Sequence, residues 1–544
     1  MIELKNPNAA LQEAYRKIDI DMKTAFFAAV IIAVATHAFF LTNKLPNHDS
    51  LYYLHTSYYV LTLGRWVSTL IGIFSPVYSI PWVTGISSIV FLAITAAVLV
   101  KLLEVKETVN IILISAAVVT FPTVAASLSY SYSSDQNMCA MMLAAFGVWF
   151  AKRHKLGFIA GGVSIGFSMG IYQSNIAYAA ALCVISLYTA ALRGDGHNKA
   201  TLCLGLRYLL TGVAGVAAYF AGLFACLQLA SMFEGSAVTL ASYKGMDEIG
   251  RIGFSELVQG VPVSVRAFFG FFFSDAMLYN SPYRIILHTG LFCVIVCGVC
   301  TAIARNRGEV GKAPNVIILA ALTVLLPLAV NLLTVVAPME EGYIMTAMPF
   351  VLVPVFCIAL MDMNSRNKED ADAIGNAETA KLPLHRKCGI GSLCYAWIGT
   401  AVCLLLSASW FMLSNVAYLN MHLRYEKTYS LGARIVDRVE QQPYYLSTTP
   451  VAVIGTVNDD NYPMTTPTAK TLQGMAGTEG DFLIYTPHLW NIFINDYLGR
   501  QMQPIEEEKY VLIQSSAEYA DMGVWPDESS VRMIDGIIVV KLGN

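Results

Sequence analysis

"TAFFAAVIIAVATHAFFLTNKLPNHD", residues 24–49, runs from a nineteen-residue apolar stretch straight into a polar turn that ends in an acid. Coiled as a helix at about 1.5 Å per residue, residues 24–42 cover roughly the 30 Å of a bilayer's hydrocarbon core. Inside lipid each backbone polar group must find its partner within the segment, which is why such a run reads as a spanning helix. Comparable runs recur near 80–103, 109–127, 136–151, 156–173, 174–192, 207–230, 285–304, 315–336, 343–362 and 392–416, eleven predicted spans in all. Composition agrees. Of 544 residues, 56% are hydrophobic and only 13% charged, where a soluble domain carries about a quarter charged residues. The fold class read from the sequence is a polytopic α-helical membrane protein.

Orientation follows from the short loops, since Lys and Arg are retained on the cytoplasmic side. With the N-terminus inside, the inner loops hold Lys101 and Lys106, then Lys152, Arg153 and Lys155, then Arg193 and Lys199, then Arg305, Arg307 and Lys312. The outer loops 128–135 and 337–342 hold neither Lys nor Arg. The bias agrees at every short loop, and eleven spans leave the C-terminus outside. The first span is not expected to be a cleavable signal, because a charged segment of more than twenty residues precedes it and no small-residue cleavage site follows.

Within the transmembrane domain 1–416, two outer segments, 43–79 and 231–284, are apolar and aromatic without being continuous enough to cross, and read as interfacial helices with tyrosines at headgroup level. Residues 364–391 are a polar cytoplasmic linker. The outer segment 417–544 reads as a small α/β domain. "YSLGARIVDRVEQQ" has helical spacing, "PVAVIGTV" and "YVLIQ" read as buried strands, and "VRMIDGIIVVKL" is a hairpin turning at Asp535-Gly536. This segment has 9 Lys and Arg against 16 Asp and Glu, an acidic surface that argues against a nucleic-acid partner.

All eleven cysteines lie in or beside spans, and 417–544 has none. An exported domain held by its core alone, without disulfides, suggests a bacterial protein. Cys293, Cys297 and Cys300 share one span at helical spacing, but no His lies close in sequence, so packing is the preferred reading over metal binding. The chain lacks a phosphate-cradling glycine loop, a GxSxG elbow and a His-Glu-x-x-His helix. Chemistry therefore falls to loop carboxylates.

Asp49 lies just past the first span, where the phosphate of a lipid-linked substrate would sit, and Arg65 in the same segment is a two-pronged partner for that phosphate. The alternative is that Asp49 caps the following turn and Arg65 snorkels. Asp135, in "SLSYSYSSDQNMCAMML", lies in the next outer loop among hydroxyl residues and offers either a second carboxylate or a cap for span four. Glu340 and Glu341, in "APMEEGYIMTAMPF", stand at the same level. Tyr172 and Gln173, in "GIYQSNIAYAAAL", suit hydrogen bonds to a sugar or packing between helices. Arg266 and Arg284, in the third outer segment, are further candidates for the phosphate.

Asp49 after span one, "LGRW" (63–66), "GIYQS" (170–174), and a tail running from "NVAYLNMHLRYEKTYSLGARI" (415–435) to "IDGIIVVKL" (534–542) together resemble the Gtr type II glucosyltransferases of bacteria. These are enzymes of the GT-C architecture, associated with glucosylation of lipopolysaccharide O-antigen. The resemblance implies an inverting transferase that takes glucose from a polyprenyl-phosphate donor and passes it to a polysaccharide or lipid-linked glycan on the periplasmic side of the inner membrane. The family's first-loop acid role falls on Asp49 and its second on Asp135. Many GT-C members pair two acids in the first loop; here the neighbour is His48.

No nucleotide or other cofactor is required, since the donor's energy is stored in its phosphodiester. Asp49, Asp135 and Glu340 offer oxygen ligands to a divalent cation, although nothing in the spacing demands one. Three rivals make different demands. A transporter or flippase for lipid-linked glycans needs ionisable residues near mid-span. A membrane O-acyltransferase needs a buried His, for which only His37 and His288 are placed. A non-enzymatic scaffold needs no carboxylate at position 49.

Overall fold

The computed structural model describes residues 6–55, 60–71, 78–193, 198–241, 253–275, 277–310, 313–336, 344–366, 390–457, 462, 469–484 and 486–543. The apolar runs are helices. An amphipathic α1 (Pro7–Lys17) leads into α2 (Ile20–Thr42), and a short α3 (Trp66–Ile71) precedes α4 (Pro81–Leu103). The run 109–127 is two helices, α5 (Thr108–Thr120) and α6 (Pro122–Ser129). Proline cannot donate a backbone hydrogen bond and drives the preceding residue out of helical geometry, and Phe121 is accordingly extended at φ −57°, ψ 135°.

Next come α7 (Ser134–Arg153), α8 (Gly157–Ile171), α9 (Asn175–Arg193) and α10 (Asn198–Glu234), then α11 (Phe254–Phe273), α12 (Pro282–Arg305) and a single turn α13 (Arg307–Val310). The run 315–336 is again broken, into α14 (Ala313–Val330) and α15 (Leu332–Val336). The run 343–362 opens as two 3-10 turns before α16 (Leu352–Ser365). Among the described residues, nine helices are long and apolar enough to cross a membrane, with α8 and α14 shorter apolar helices beside them.

The helices form one bundle around a single apolar core, α2 packing on α4 and α5, α8 on α7 and α10, and α12 and α16 on a helix of 51 residues, α17 (Ile390–Glu440). One end of the bundle is ionic. Lys106 pairs with Asp21 at 2.5 Å, Lys152 with Glu104 at 2.7 Å and Arg366 with Asp362 at 2.9 Å. The buried Asp362 also accepts the Lys106 and Glu107 amides at 3.0 and 2.8 Å, closing the N-terminus of α5. The opposite end carries Asp49. There α11, long enough to span, packs on α14 and α15. Its Gly260 rests on the backbone of Val335 near the end of α15, and Met277 and Tyr279, just after it, meet Gly474 and Gln473 of the C-terminal region.

That region begins inside α17. The helix is about 77 Å long at 1.5 Å per residue, so the expected division at 416/417 falls within one continuous rod, and "YSLGARIVDRVEQQ" is its far end. The sheet has the order β1-β3-β2, with β1 (Val451–Ile454) parallel to β3 (Ile537–Lys541) and β2 (Val531–Ile534) antiparallel to it. The hairpin turns at Asp535-Gly536, both at positive φ (48° and 77°), as a two-residue turn of this hand requires. "YVLIQ" is not a strand. It lies in a helix, α19 (Glu507–Gln514), numbered after α18 (His488–Ile492). Glu507 and Glu508 in its first turn suit the positive end of the helix dipole, and Val511 and Leu512 are exposed, with only Ile513 buried. A short apolar run does not by itself separate strand from helix.

Candidate active site

Asp49 opens a 3-10 turn, Asp49–Leu51, that is clamped from both sides. On the bundle side, buried Asn47 accepts the Ser50 amide at 2.7 Å and the Ser50 hydroxyl at 2.8 Å, and its Nδ2 donates to Ser129 Oγ at 3.4 Å. On the other side, Leu51 is fully buried in the core of the C-terminal domain, among Ile435, Val451, Trp490 and Phe493. The Ser50 amide of this turn is thus taken by Asn47 and not by Asp49. It is 43% exposed and stands 3.4 Å from His48 Nε2. Burial holds His48 below its ordinary pKa of about 6.5; the Asp49 charge pulls it upward and Arg424 pushes it further down.

Asp49 lines a cavity of about 590 Å³ together with Arg65, Tyr172, Asn137 and the tyrosines 52, 53, 130 and 132. The guanidinium of Arg65 lies 4.6 Å from the centre of the Tyr172 ring, a cation–π contact that orients it. Two of the sequence motifs meet to place this pair. Gln173 donates to the Leu63 carbonyl at 2.7 Å and Ser68 to the Ile171 carbonyl at 3.2 Å, tying "LGRW" to "GIYQS". Gly64 turns the chain at φ 72°, and its carbonyl accepts the Tyr219 hydroxyl of α10 at 3.1 Å. Trp66 then fills the space over Gly222, where a Cβ would fall 2.3 Å from the indole.

Gln173 joins the motifs through its bond to the Leu63 carbonyl and does not line the cavity. Asp135 lies in the first turn of α7, accepts the Gln136 amide at 2.9 Å and does not line the cavity, although Ser133 and Asn137 on either side of it do. Arg284 is buried at the start of α12, where it donates to Ser409 Oγ at 3.2 Å and to the Tyr279 carbonyl. Arg266 is exposed on α11, and neither arginine lines the cavity. Glu340 and Glu341 lie outside the described residues. Among the described residues no three His, Cys, Asp or Glu side chains gather as a metal site.

What the sequence reading missed is the aromatic wall. Tyr53 and Tyr132 lie 4.4 Å apart between ring centres, with Tyr130 and Tyr52 next to them. Such flat faces bind the apolar side of a sugar ring, while hydroxyls and amides between them meet its polar edge. The signal was present as tyrosines crowded into two outer loops, "LYYLH" and "SLSYSYSS". The intramembrane histidines have structural duties. His37 meets the Tyr418 hydroxyl at 2.7 Å and the Val119 carbonyl at 2.9 Å, and His288 meets the Phe272 carbonyl at 2.8 Å. Neither lines the cavity.

A family model described as "Glucosyl transferase GtrII" matches residues 38–356, more than half of the chain. The match takes in Asp49, Arg65 and Tyr172 and stops short of the C-terminal domain. No curated protein and no solved structure matches the chain.

Proposed function

The chain belongs to the GtrII glucosyl transferase family, and from that premise we propose that it transfers glucose from a polyprenyl-phosphate donor to a surface glycan, at the cavity shared by Asp49 and Arg65. It is a membrane glycosyltransferase, with a sugar donor and a glycosyl acceptor as its substrates. The reaction is a single in-line displacement with inversion. An acceptor hydroxyl oxygen forms the new bond to the anomeric carbon as the bond from that carbon to the phosphate oxygen breaks. The hydroxyl proton passes to Asp49, and the charge developing on the departing lipid phosphate faces Arg65. The tyrosines around the cavity hold the glucosyl ring between the two.

The observation that carries this reading is that the Asp49 carboxylate and a guanidinium braced on Tyr172 line one sugar-sized cavity. The side of the membrane is argued from charge. The ionic end of the bundle carries the Lys and Arg expected in the cytoplasm, which supports a periplasmic position for Asp49 and the C-terminal domain at a bacterial inner membrane. The acceptor is then an O-antigen or a comparable surface polysaccharide, reached where polyprenyl-phosphate glucose is exposed.

Comparison of cells with and without the chain tests the proposal through the composition of their lipid-linked sugars and surface polysaccharide. The expected result is a surface polysaccharide enriched in glucose and a smaller pool of polyprenyl-phosphate glucose. A change only in which leaflet holds an unmodified lipid-linked glycan would identify a flippase instead.

A further inference from the structure

A second cavity, of about 790 Å³, is a cleft in the C-terminal domain between α18 and α19. Its polar lining includes His488, Asn491, Asn495, Asp496, Glu507, Tyr510 and Gln514, and among the described residues no Lys or Arg takes part. Asn491 is only 7% exposed. Its Nδ2 donates to the Tyr510 hydroxyl at 3.1 Å, while its Oδ1 is buried without a hydrogen-bond partner. A buried amide oxygen of this kind costs about 1–3 kcal/mol unless something donates to it, so the cleft is built for a ligand that brings hydroxyl or amide hydrogens.

The cleft also abuts the catalytic cavity. His488 on its rim contacts the hydroxyl of Tyr52, which lines that cavity, and Asp496 stands 3.7 Å from His55 in the same outer loop. We propose that this cleft binds the acceptor glycan, holding sugar units beyond the one that reacts, so that their chain passes Tyr52 and presents a hydroxyl to Asp49. The inference rests on the transferase reading of the Asp49 cavity. The chemistry selects the ligand: planar amides and carboxylates pair with neighbouring sugar hydroxyls, and Tyr510 offers a ring face. With no cation among its described lining residues, the cleft suits a neutral glycan better than the donor's phosphate, for which Arg65 lines the other cavity. The family match ends at residue 356, before this domain.

The test uses the full chain in lipid nanodiscs and, as probe, the host's surface polysaccharide released from its lipid by mild acid. Two variants are compared with the parent: Asn491→Leu, and the double variant Glu507→Ala, Gln514→Ala, whose residues are exposed on α19 and so do not threaten the fold. Titration calorimetry is expected to show binding by the parent weakened at least tenfold in both variants, and the KM for polysaccharide is expected to rise at least tenfold while kcat changes less than twofold. Parent-like binding and KM in the double variant and in a folded Asn491→Leu would overturn the cleft assignment, even where sugar transfer itself is confirmed. A parent that binds the polysaccharide through the cleft but consumes no polyprenyl-phosphate glucose would overturn the transferase reading instead.

Discussion

At position 49 the sequence allowed two readings, a catalytic acid or a helix cap, and Asn47, two residues before it, bears on the second. Asn47 accepts the Ser50 amide, and Asp49 lines the cavity. That Asp49 stood out in the sequence follows from its isolation as the one acid of an aromatic outer segment. Asn47 did not stand out, because a short amide before a turn is ordinary until its partner on α6, 82 residues away, is known. Arg65 carries the residue-scale prediction. Arg65→Lys keeps the charge but loses the two-pronged grip and the planar stack on Tyr172. Losing one charge-assisted contact costs on the order of 1–2 kcal/mol, about tenfold in affinity. Steady-state kinetics with each substrate varied in turn should show that the KM for donor rises about tenfold and the KM for acceptor does not. Equal changes in both would place Arg65 outside donor binding.

At the scale of elements, the motifs "LGRW" and "GIYQS" lie more than a hundred residues apart and function as one bracket. Trp66 packs against Gly170 of the second motif and, on its other contact, against Gly222 of α10. Gly222→Ala is predicted to overpack this seam at a cost of about 1–3 kcal/mol, seen as a lower melting temperature and reduced transfer. Trp66→Leu in the same chain should restore part of the melting temperature, and failure of that rescue would show that the seam does not limit stability. The spans were legible because an uninterrupted apolar run of about twenty residues matches the thickness of a bilayer's hydrocarbon core. Their breaks at Phe121-Pro122 and after Val330 were less so, since hydropathy averages over a proline. The error at 510–514 has the same root. The run "YVLI" is apolar in composition, but its place after three glutamates makes it the body of a helix.

The molecule as a whole is a bundle with one ionic end and one aromatic end, and the C-terminal domain is rooted in the aromatic end through α17 and Leu51. The sequence expectation of a separate outer domain from residue 417 captured its strands and hairpin but not this rooting. A helix that continues 24 residues past the apolar span looks from composition alone like the start of something new. Nor could the cleft be read, because its lining is drawn from Ile454 through Gln514 and assembles only when β1, α18 and α19 pack. Topology is the prediction at this scale. A single cysteine at exposed Ser515, in a chain whose own cysteines are replaced, should react with a membrane-impermeant maleimide in cells with a permeabilised outer membrane. Protection until the inner membrane is broken would reverse the orientation and move the cavity to the cytoplasm.

The claim on which the rest depends is that Asp49 takes the acceptor's proton. Asp49→Asn keeps the side chain's shape and leaves the Asn47 cap intact, but an amide does not serve as the base. With purified protein and polyprenyl-phosphate glucose, the transfer rate of Asp49→Asn is predicted to fall by about 10² to 10⁴, at an unchanged melting temperature. Transfer near the parent's rate would contradict the account and move the base away from Asp49.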